Sequence, residues 1–268
     1  MALRPFLKWA GGKRWLVERS EFQVPSFSGN YIEPFLGGGS VFFHVAPDRS
    51  IISDLNTRLV EAYLSIKCDW QSVVTFLESH QKRHSPQHYY AERAMEYSNV
   101  AERGAQFIYL NRACWNGLYR ENLRGQFNVP IGSKTKILYE YDDFRSVSER
   151  LKNAEIVNCD FEVSINRAGD SDFLFVDPPY TTAHNFNGFV KYNQKIFSWD
   201  DQIRLRNALV RAAHRGCAII VTNAGHSSIS ELYNGVGRIT ELSRASVISG
   251  KVDGRQETSE KVIYIGPR

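Results

Sequence analysis

Asp177-Pro178-Pro179-Tyr180 places a carboxylate, a carbonyl on a conformationally fixed ring and an aromatic face within four residues. Proline fixes its own φ and has no N–H, so its carbonyl can accept a hydrogen bond from a ligand. An acid, a rigid carbonyl and a ring suit a flat heterocycle carrying an amino group: two acceptors for its hydrogens and a surface for its face. The preceding Phe173-Leu174-Phe175-Val176 is a short apolar run of β-formers and reads as a buried strand. The acid therefore falls at the carboxyl edge of a sheet, where open α/β sheets bind their ligands. Taken alone, the tetrapeptide also suits a plain strand-end turn.

Three other expected strand ends carry ligand-type acids. Tyr31-Ile32-Glu33-Pro34-Phe35-Leu36-Gly37-Gly38-Gly39-Ser40, followed by Val41-Phe42-Phe43, reads as a strand, a glycine-rich turn and a helix start. It is not the dinucleotide fingerprint, because Glu33-Pro34 lies where that pattern has its first glycine. An acid there disfavours a pyrophosphate and suits a cationic amino-acid moiety. Ile51-Ile52-Ser53-Asp54 is a second strand ending in a carboxylate. At about 15 residues beyond the glycine turn, Asp54 is placed to accept from ribose hydroxyls, although Asp54 or Asn56 can equally cap the following helix. Glu155-Ile156-Val157-Asn158 gives a third such strand, with Cys159-Asp160-Phe161 at its end.

Near the start, Lys8-Trp9-Ala10-Gly11-Gly12-Lys13 is no Walker loop. It lacks a glycine five residues before Gly12, and Arg14 stands where Ser or Thr would hold magnesium. That excludes an ATPase reading. The segment can pack its indole and ammonium groups against a ligand, or form a turn with solvated lysines.

From Thr57 to about Arg112 the periodicity is helical (Leu59, Ala62, Tyr63, Ile66; later Ala105, Ile108, Tyr109), which predicts an inserted subdomain. It leads into residues 111–132, where two glycine turns separate short segments that read as a β-hairpin or an irregular loop. Here arginine, asparagine and aromatic residues alternate. Arg112, Arg120, Arg124, Lys134 and Lys136 face only Glu121 in charge. Arginine can grip guanine bidentately and asparagine adenine, and aromatic rings stack on or wedge between bases. A generic basic loop is the alternative.

The 268 residues, 43% hydrophobic and 13% aromatic, are enough for one elaborated domain with a substantial core. No apolar run reaches the roughly 20 residues of a membrane span, and the start lacks the apolar stretch of a secretory signal. A soluble cytoplasmic protein is expected. Cys68, Cys114, Cys159 and Cys217 show no paired spacing and read as free thiols, with no metal site. The formal charge of +4 permits a polyanionic partner without demanding one. After the tetrapeptide, residues 181–197 suit a mobile loop over the site. Ser198 with Asp201 begins a helix as an imperfect capping pair, and Cys217–Thr222 is a central strand. His226 reads as a loop or cap residue. Arg238–Leu242 and Lys261–Ile265 are two further strands around a polar loop, 243–260, that carries Arg244, Lys251 and Arg255.

The order of these pieces closely resembles the Dam-type DNA adenine-N6 methyltransferases, the class α amino-methyltransferases. The matching residues are the Lys8–Lys13 start, the Glu33-Pro34-Phe35-x-Gly37-x-Gly39 turn, the acid after the second strand, the helical insert, Asn116–Gly132 and Asp177-Pro178-Pro179-Tyr180. The resemblance runs from Phe6 to at least Asn223. It implies an α/β fold: a Rossmann-like, seven-stranded S-adenosylmethionine-dependent methyltransferase sheet with an inserted helical and β-hairpin DNA-recognition domain. Residues 1–56 and 145–268 would be catalytic, and 57–144 would recognise the target. Trp9, Lys13, Glu33, Phe35, Gly37, Asp54, Asp160, Phe161 and Asp177 match cofactor positions, while Asp177, Pro178 and Tyr180 match catalytic ones.

For DNA, Arg120 corresponds to the family's guanine-reading arginine and Asn116 to a neighbouring polar contact. Leu118 and Pro130 match apolar contacts, and Lys8 a contact to the outer base pair. Arg112, Asn122 and Arg124 complete the expected DNA-binding set. Trp115 departs from the usual tyrosine or phenylalanine wedge. The implied activity is methylation of N6 of a flipped adenine in double-stranded DNA, with GATC as target, by a monomer needing no protein partner. Restriction-modification is one setting for it. A methyltransferase on cytosine N4 or RNA adenine, or a silent DNA-binding regulator, are the rival readings.

Overall fold

The computed structural model describes residues 3–122, 124–183, 197–245 and 257–267. The loops expected at 181–197 and 243–260 therefore lie largely outside the described residues. The apolar runs form strands β1 (Tyr31–Glu33), β2 (Ser50–Asp54), β3 (Ala154–Asn158), β4 (Phe173–Val176), β5 (Ala218–Ala224), β6 (Arg238–Ala245) and β7 (Glu257–Ile265). They make a mixed seven-stranded sheet in the order β3-β2-β1-β4-β5-β7-β6. β1, β4 and β5 run parallel and β7 enters antiparallel between β5 and β6. The strand order reverses between β1 and β4, so the sheet has the topological switch point at which α/β folds hold ligands.

By contact the chain forms two compact units, residues 1–24 with 36–158 and residues 25–35 with 159–268. The first unit carries β2, β3 and helices α1 (Arg14–Val17), α2 (Ser40–Val45), α3 (Thr57–Arg83), α4 (Pro86–Ala94), α5 (Val100–Ala113) and α6 (Phe144–Leu151). The second carries β1, β4–β7, α7 (Phe161–Asn166), α8 (Trp199–His214) and α9 (Ser227–Leu232). Among the described residues, no helix is long and apolar enough to cross a membrane. All four cysteines are free thiols.

Within the first unit, Asn56 caps α3 by accepting from the Leu59 amide, a contact typically worth about 1 kcal/mol. The expected stripe is buried: Leu59, Ala62, Tyr63 and Ile66 are fully inaccessible. Asp69 leaves helical geometry (φ −152°, ψ 69°) and its side chain caps the continuation at Ser72, so α3 kinks there. α5 packs on α3 closely enough that a Cβ at Gly104 would meet Ser65 Oγ at 1.9 Å. Only glycine permits that approach.

Where α3 and α4 meet, His80 Nδ1 and His88 Nε2 share a 3.1 Å hydrogen bond and the His80 ring stacks on Tyr109. Glu92 lies 3.8 Å from His88 and accepts from Tyr97. These atoms come within 4.8 Å of one another, yet each already has a hydrogen-bonding or ionic neighbour, so the group acts as a buried polar bolt. Burial, reinforced by His88 and Arg83, pushes the His80 pKa down to about 4.

Because the unfolded imidazole titrates near 6.5, the unfolded chain binds more protons as pH falls from about 6.5 toward 4. Stability linked to neutral His80 is thus complete above pH ~6.5 and is lost below it, by roughly 3 kcal/mol at the acid end. Urea unfolding at about pH 7.5 and about pH 4.5 should show this loss largely removed in His80→Gln. Equal losses in both proteins would place the proton elsewhere.

In the second unit, Ser198 and Asp201 form the full reciprocal capping box at the start of α8, more complete than the sequence suggests. His226 caps α9 through its Nδ1, which accepts from the Ser228 amide.

Candidate active site

β4 delivers Asp177 at its carboxyl end, and the second unit surrounds the tetrapeptide with polar side chains. The Thr222 hydroxyl, on β5, donates to Asp177 Oδ1 at 2.6 Å. The Tyr180 hydroxyl donates to Glu260 Oε2, on β7, at 2.6 Å. Tyr180 keeps a half-buried ring while its hydroxyl end is deep, and burial together with the Asp177 and Glu260 charges pushes its pKa well up. The phenol therefore stays neutral and acts as a donor. No local motif in the sequence marks Thr222 or Glu260 as a site residue. The sequence signal for them is weak: a hydroxyl in one apolar strand, and an acid within another strand just ahead of its apolar Val262–Ile265 stretch.

Glu33, at the end of β1, is buried and accepts from the Tyr31 hydroxyl at 2.7 Å. Beyond it Phe35 stacks on Phe161 with centroids 5.4 Å apart, and Phe197 closes edge-on against Phe35 at 5.7 Å. The trio makes an aromatic wall beside the β1 and β4 ends. Asp160 caps α7 and takes a bidentate contact from Arg204, at 2.7 and 2.9 Å. Arg204 holds its carboxyl below the usual carboxylate range. The same guanidinium lies 4.1 Å over the Phe161 ring. The sequence gives Asp160 no visible partner, since Arg204 lies 44 residues away.

The first unit holds the glycine turn. Gly37 adopts a left-handed φ of 48°, and a Cβ there would meet the Trp9 indole at 2.7 Å. Asp54 uses both oxygens on backbone, accepting from Gly37 N at 3.0 Å and Asn56 N at 2.9 Å. Its carboxyl pKa is raised by burial, against the pull of those amides. Asn56 is thus the helix cap, and Asp54 ties the glycine turn to the strand end. Trp9 stacks on Tyr119 at 5.7 Å. Lys13 is buried, with Nζ donating to the Gly11 carbonyl at 2.7 Å.

Residues 114–132 fold back on themselves as an irregular hairpin with isolated bridges, Cys114 opposite Ile131 and Glu121 opposite Phe127. A single 3₁₀ turn, Trp115–Gly117, opens it, with Asn116 left-handed at φ 55°. Trp115, Asn116, Arg120, Asn122, Arg124 and Pro130 are exposed, and Leu118 is half-buried. Arg120 Nε donates to Asn128 Oδ1 at 2.8 Å, which aims the guanidinium. Lys8 is half-buried; its amide donates to Asn111 and its ammonium lies over the Tyr139 ring.

Arg112 corrects an expectation. Grouped with the DNA-contacting residues, it is instead 1% exposed and ion-paired to Asp142 at 2.6 Å. A guanidinium so enclosed has no face left for a base.

The model of the D12 class N6 adenine-specific DNA methyltransferases matches residues 9–247. The type II methyltransferase M1.LlaDCHI of Lactococcus lactis subsp. cremoris is 35% identical over 86% of this chain and 84% of its own length. The type II methyltransferase M.MjaIII of Methanocaldococcus jannaschii is 34% identical over 96% of each chain. The DNA adenine methylase of Haemophilus influenzae is 28% identical over 99% of this chain and 94% of its own.

Proposed function

The chain belongs to the D12 class N6 adenine-specific DNA methyltransferases, and on that premise we propose that it methylates N6 of an adenine flipped out of double-stranded DNA. S-adenosylmethionine is the methyl donor and GATC the target. The observation that carries this reading is the anchored tetrapeptide: an acid and a tyrosine at the end of β4, each tied to a neighbouring strand by a 2.6 Å hydrogen bond.

The residues fit the donor's parts. Phe35 and Phe161 offer an aromatic wall for an adenine ring, and the buried Glu33 suits a cationic amino group. Asp54, at the end of β2, suits ribose hydroxyls. The resemblance adds Trp9, Lys13, Gly37, Asp160 and Asp177 as residues that would hold the donor. When bound, the donor supplies an electrophilic methyl group on a sulfonium.

The rest of the chemistry belongs to the chain. Adenine N6 is a poor nucleophile because its lone pair is delocalised into the ring. The Asp177 carboxylate and the Pro178 carbonyl each accept one N6 hydrogen, which draws the nitrogen toward sp³ geometry and exposes that pair. Held in this orientation, N6 needs little further reorganisation, and the same acceptors stabilise the positive charge that develops on it. Asp177 then takes the surplus proton. Tyr180 stacks on the base, which must leave the duplex because N6 is otherwise out of reach.

The exposed Trp115 acts as the wedge, while Lys8, Asn116, Leu118, Arg120, Asn122, Arg124 and Pro130 contact the site. Protein incubated with isotopically labelled donor and duplexes carrying GATC or single-base variants should yield labelled N6-methyladenine, confined to GATC. Labelled N4-methylcytosine, or label found only in RNA, would overturn the substrate reading. DNA binding without any label would leave a silent regulator.

A further inference from the structure

We infer that Thr222 on β5 and Glu260 on β7 are positioning residues for methyl transfer, the first fixing Asp177 and the second fixing Tyr180. The inference rests on the roles given to Asp177 and Tyr180 above. Register explains how two strands reach one tetrapeptide. β4 and β5 are parallel with Val176 opposite Val221, so the next residues, Asp177 and Thr222, emerge side by side. β5 and β7 are antiparallel with Ala224 opposite Glu260, which brings the glutamate to the same end of the sheet.

Neither side chain is what packing alone would select. Thr222 is fully buried directly after Ile219, Ile220 and Val221, and valine would fill its volume. Its hydroxyl carries one proton, and at 2.6 Å that proton is shared with Asp177 Oδ1; the Val176 carbonyl, at 3.5 Å, is at the margin of bonding. A β-branched residue is stiff at χ1, so Thr222 is a rigid post for the carboxylate. Glu260 is 2% exposed, and a buried carboxylate is costly unless it is hydrogen-bonded or paired. Tyr180 donates to it, which fixes the direction in which the ring presents its face.

Between these two anchors the prolines allow little φ freedom. The chain beyond Tyr180 is also held, with the Thr181 hydroxyl donating to the Phe197 carbonyl at 2.6 Å. Acid, carbonyl and ring are thereby set before substrate arrives. This matters because a misplacement of about 1 Å can cost about a hundredfold in rate.

The test compares Thr222→Val, Thr222→Ser and Asp177→Ala in single-turnover methylation of target duplex, with donor and DNA affinities measured alongside. Thr222→Val should be roughly ten- to hundredfold slower at unchanged affinities, and Thr222→Ser should recover most of the loss. An inactive Asp177→Ala beside a normal Thr222→Val overturns this inference alone. A near-normal Asp177→Ala overturns the catalytic reading beneath it. Thr222→Ser as slow as Thr222→Val would assign the effect to packing, against the inference. For the second anchor, Tyr180→Phe keeps the ring and removes the hydroxyl. It should slow transfer, and adding Glu260→Gln should slow it little further; fully additive losses would show that the two side chains act separately.

Discussion

Asp177→Ala should leave a folded protein that binds DNA and methyl donor but transfers methyl groups about a thousandfold or more slowly. The reaction asks for two acceptors on one nitrogen, and the Pro178 carbonyl alone cannot direct both hydrogens. The substitution also removes the group that receives the proton. Folding should survive, because Asp177 is half-buried and lies just past the end of β4, outside the apolar core of the sheet. The orphaned Thr222 hydroxyl should cost about 1–3 kcal/mol at most. Asp177→Asn makes a sharper comparison. Its amide oxygen can still accept one N6 hydrogen, while it no longer carries the charge that opposes a developing ammonium. An intermediate rate is expected, slower than wild type and faster than Asp177→Ala. Single-turnover methylation at saturating donor and duplex measures all three, and a near-normal rate for the alanine variant would remove Asp177 from the chemistry.

The strand ends were legible because each joins a short apolar run to a breaker and an acid, a pattern set by neighbours in sequence. Glu33, Asp54, Asp160 and Asp177 all lie where that pattern puts them. The helices between residues 57 and 113 were legible for the same reason: their apolar period extends over many residues. What the acids bind was not legible. Asp160 meets Arg204 and Asp177 meets Thr222 through pairings 44 and 45 residues long, and no local pattern encodes such contacts. Asp54 shows the intermediate case. Its place at a strand end is legible, as is a capping role for either Asp54 or Asn56, yet only the fold assigns the cap to Asn56 and the glycine turn to Asp54. In residues 111–132 composition pointed to a recognition surface, but it could not separate arginines that face solvent from one that faces inward.

That inward arginine carries the largest stability effect expected in the molecule. Arg112→Ala should destabilise the protein by about 3–5 kcal/mol, the range for breaking a buried ion pair from one side. All five guanidinium N–H groups are engaged. Nε and one Nη2 hydrogen donate to the Phe6 carbonyl at 3.0 and 2.7 Å, and Nη1 donates to the Ile137 carbonyl at 2.7 Å. The remaining two meet Asp142 at 2.6 and 2.8 Å. One side chain at the end of α5 therefore joins the amino-terminal segment to residues 137–142. Truncation would strand the Asp142 carboxylate, whose side chain is 7% exposed, without its cation. Lysine cannot substitute: three donors on a point charge do not reproduce a planar fork, so Arg112→Lys should lose much of the same stability. Urea unfolding at neutral pH gives the size of the loss. DNA binding gives the discrimination, since a phosphate contact would contribute close to one unit to the salt dependence of affinity. Folded Arg112→Lys protein should bind with the wild-type salt slope. A variant that is as stable as wild type but binds DNA weakly would return Arg112 to the recognition surface.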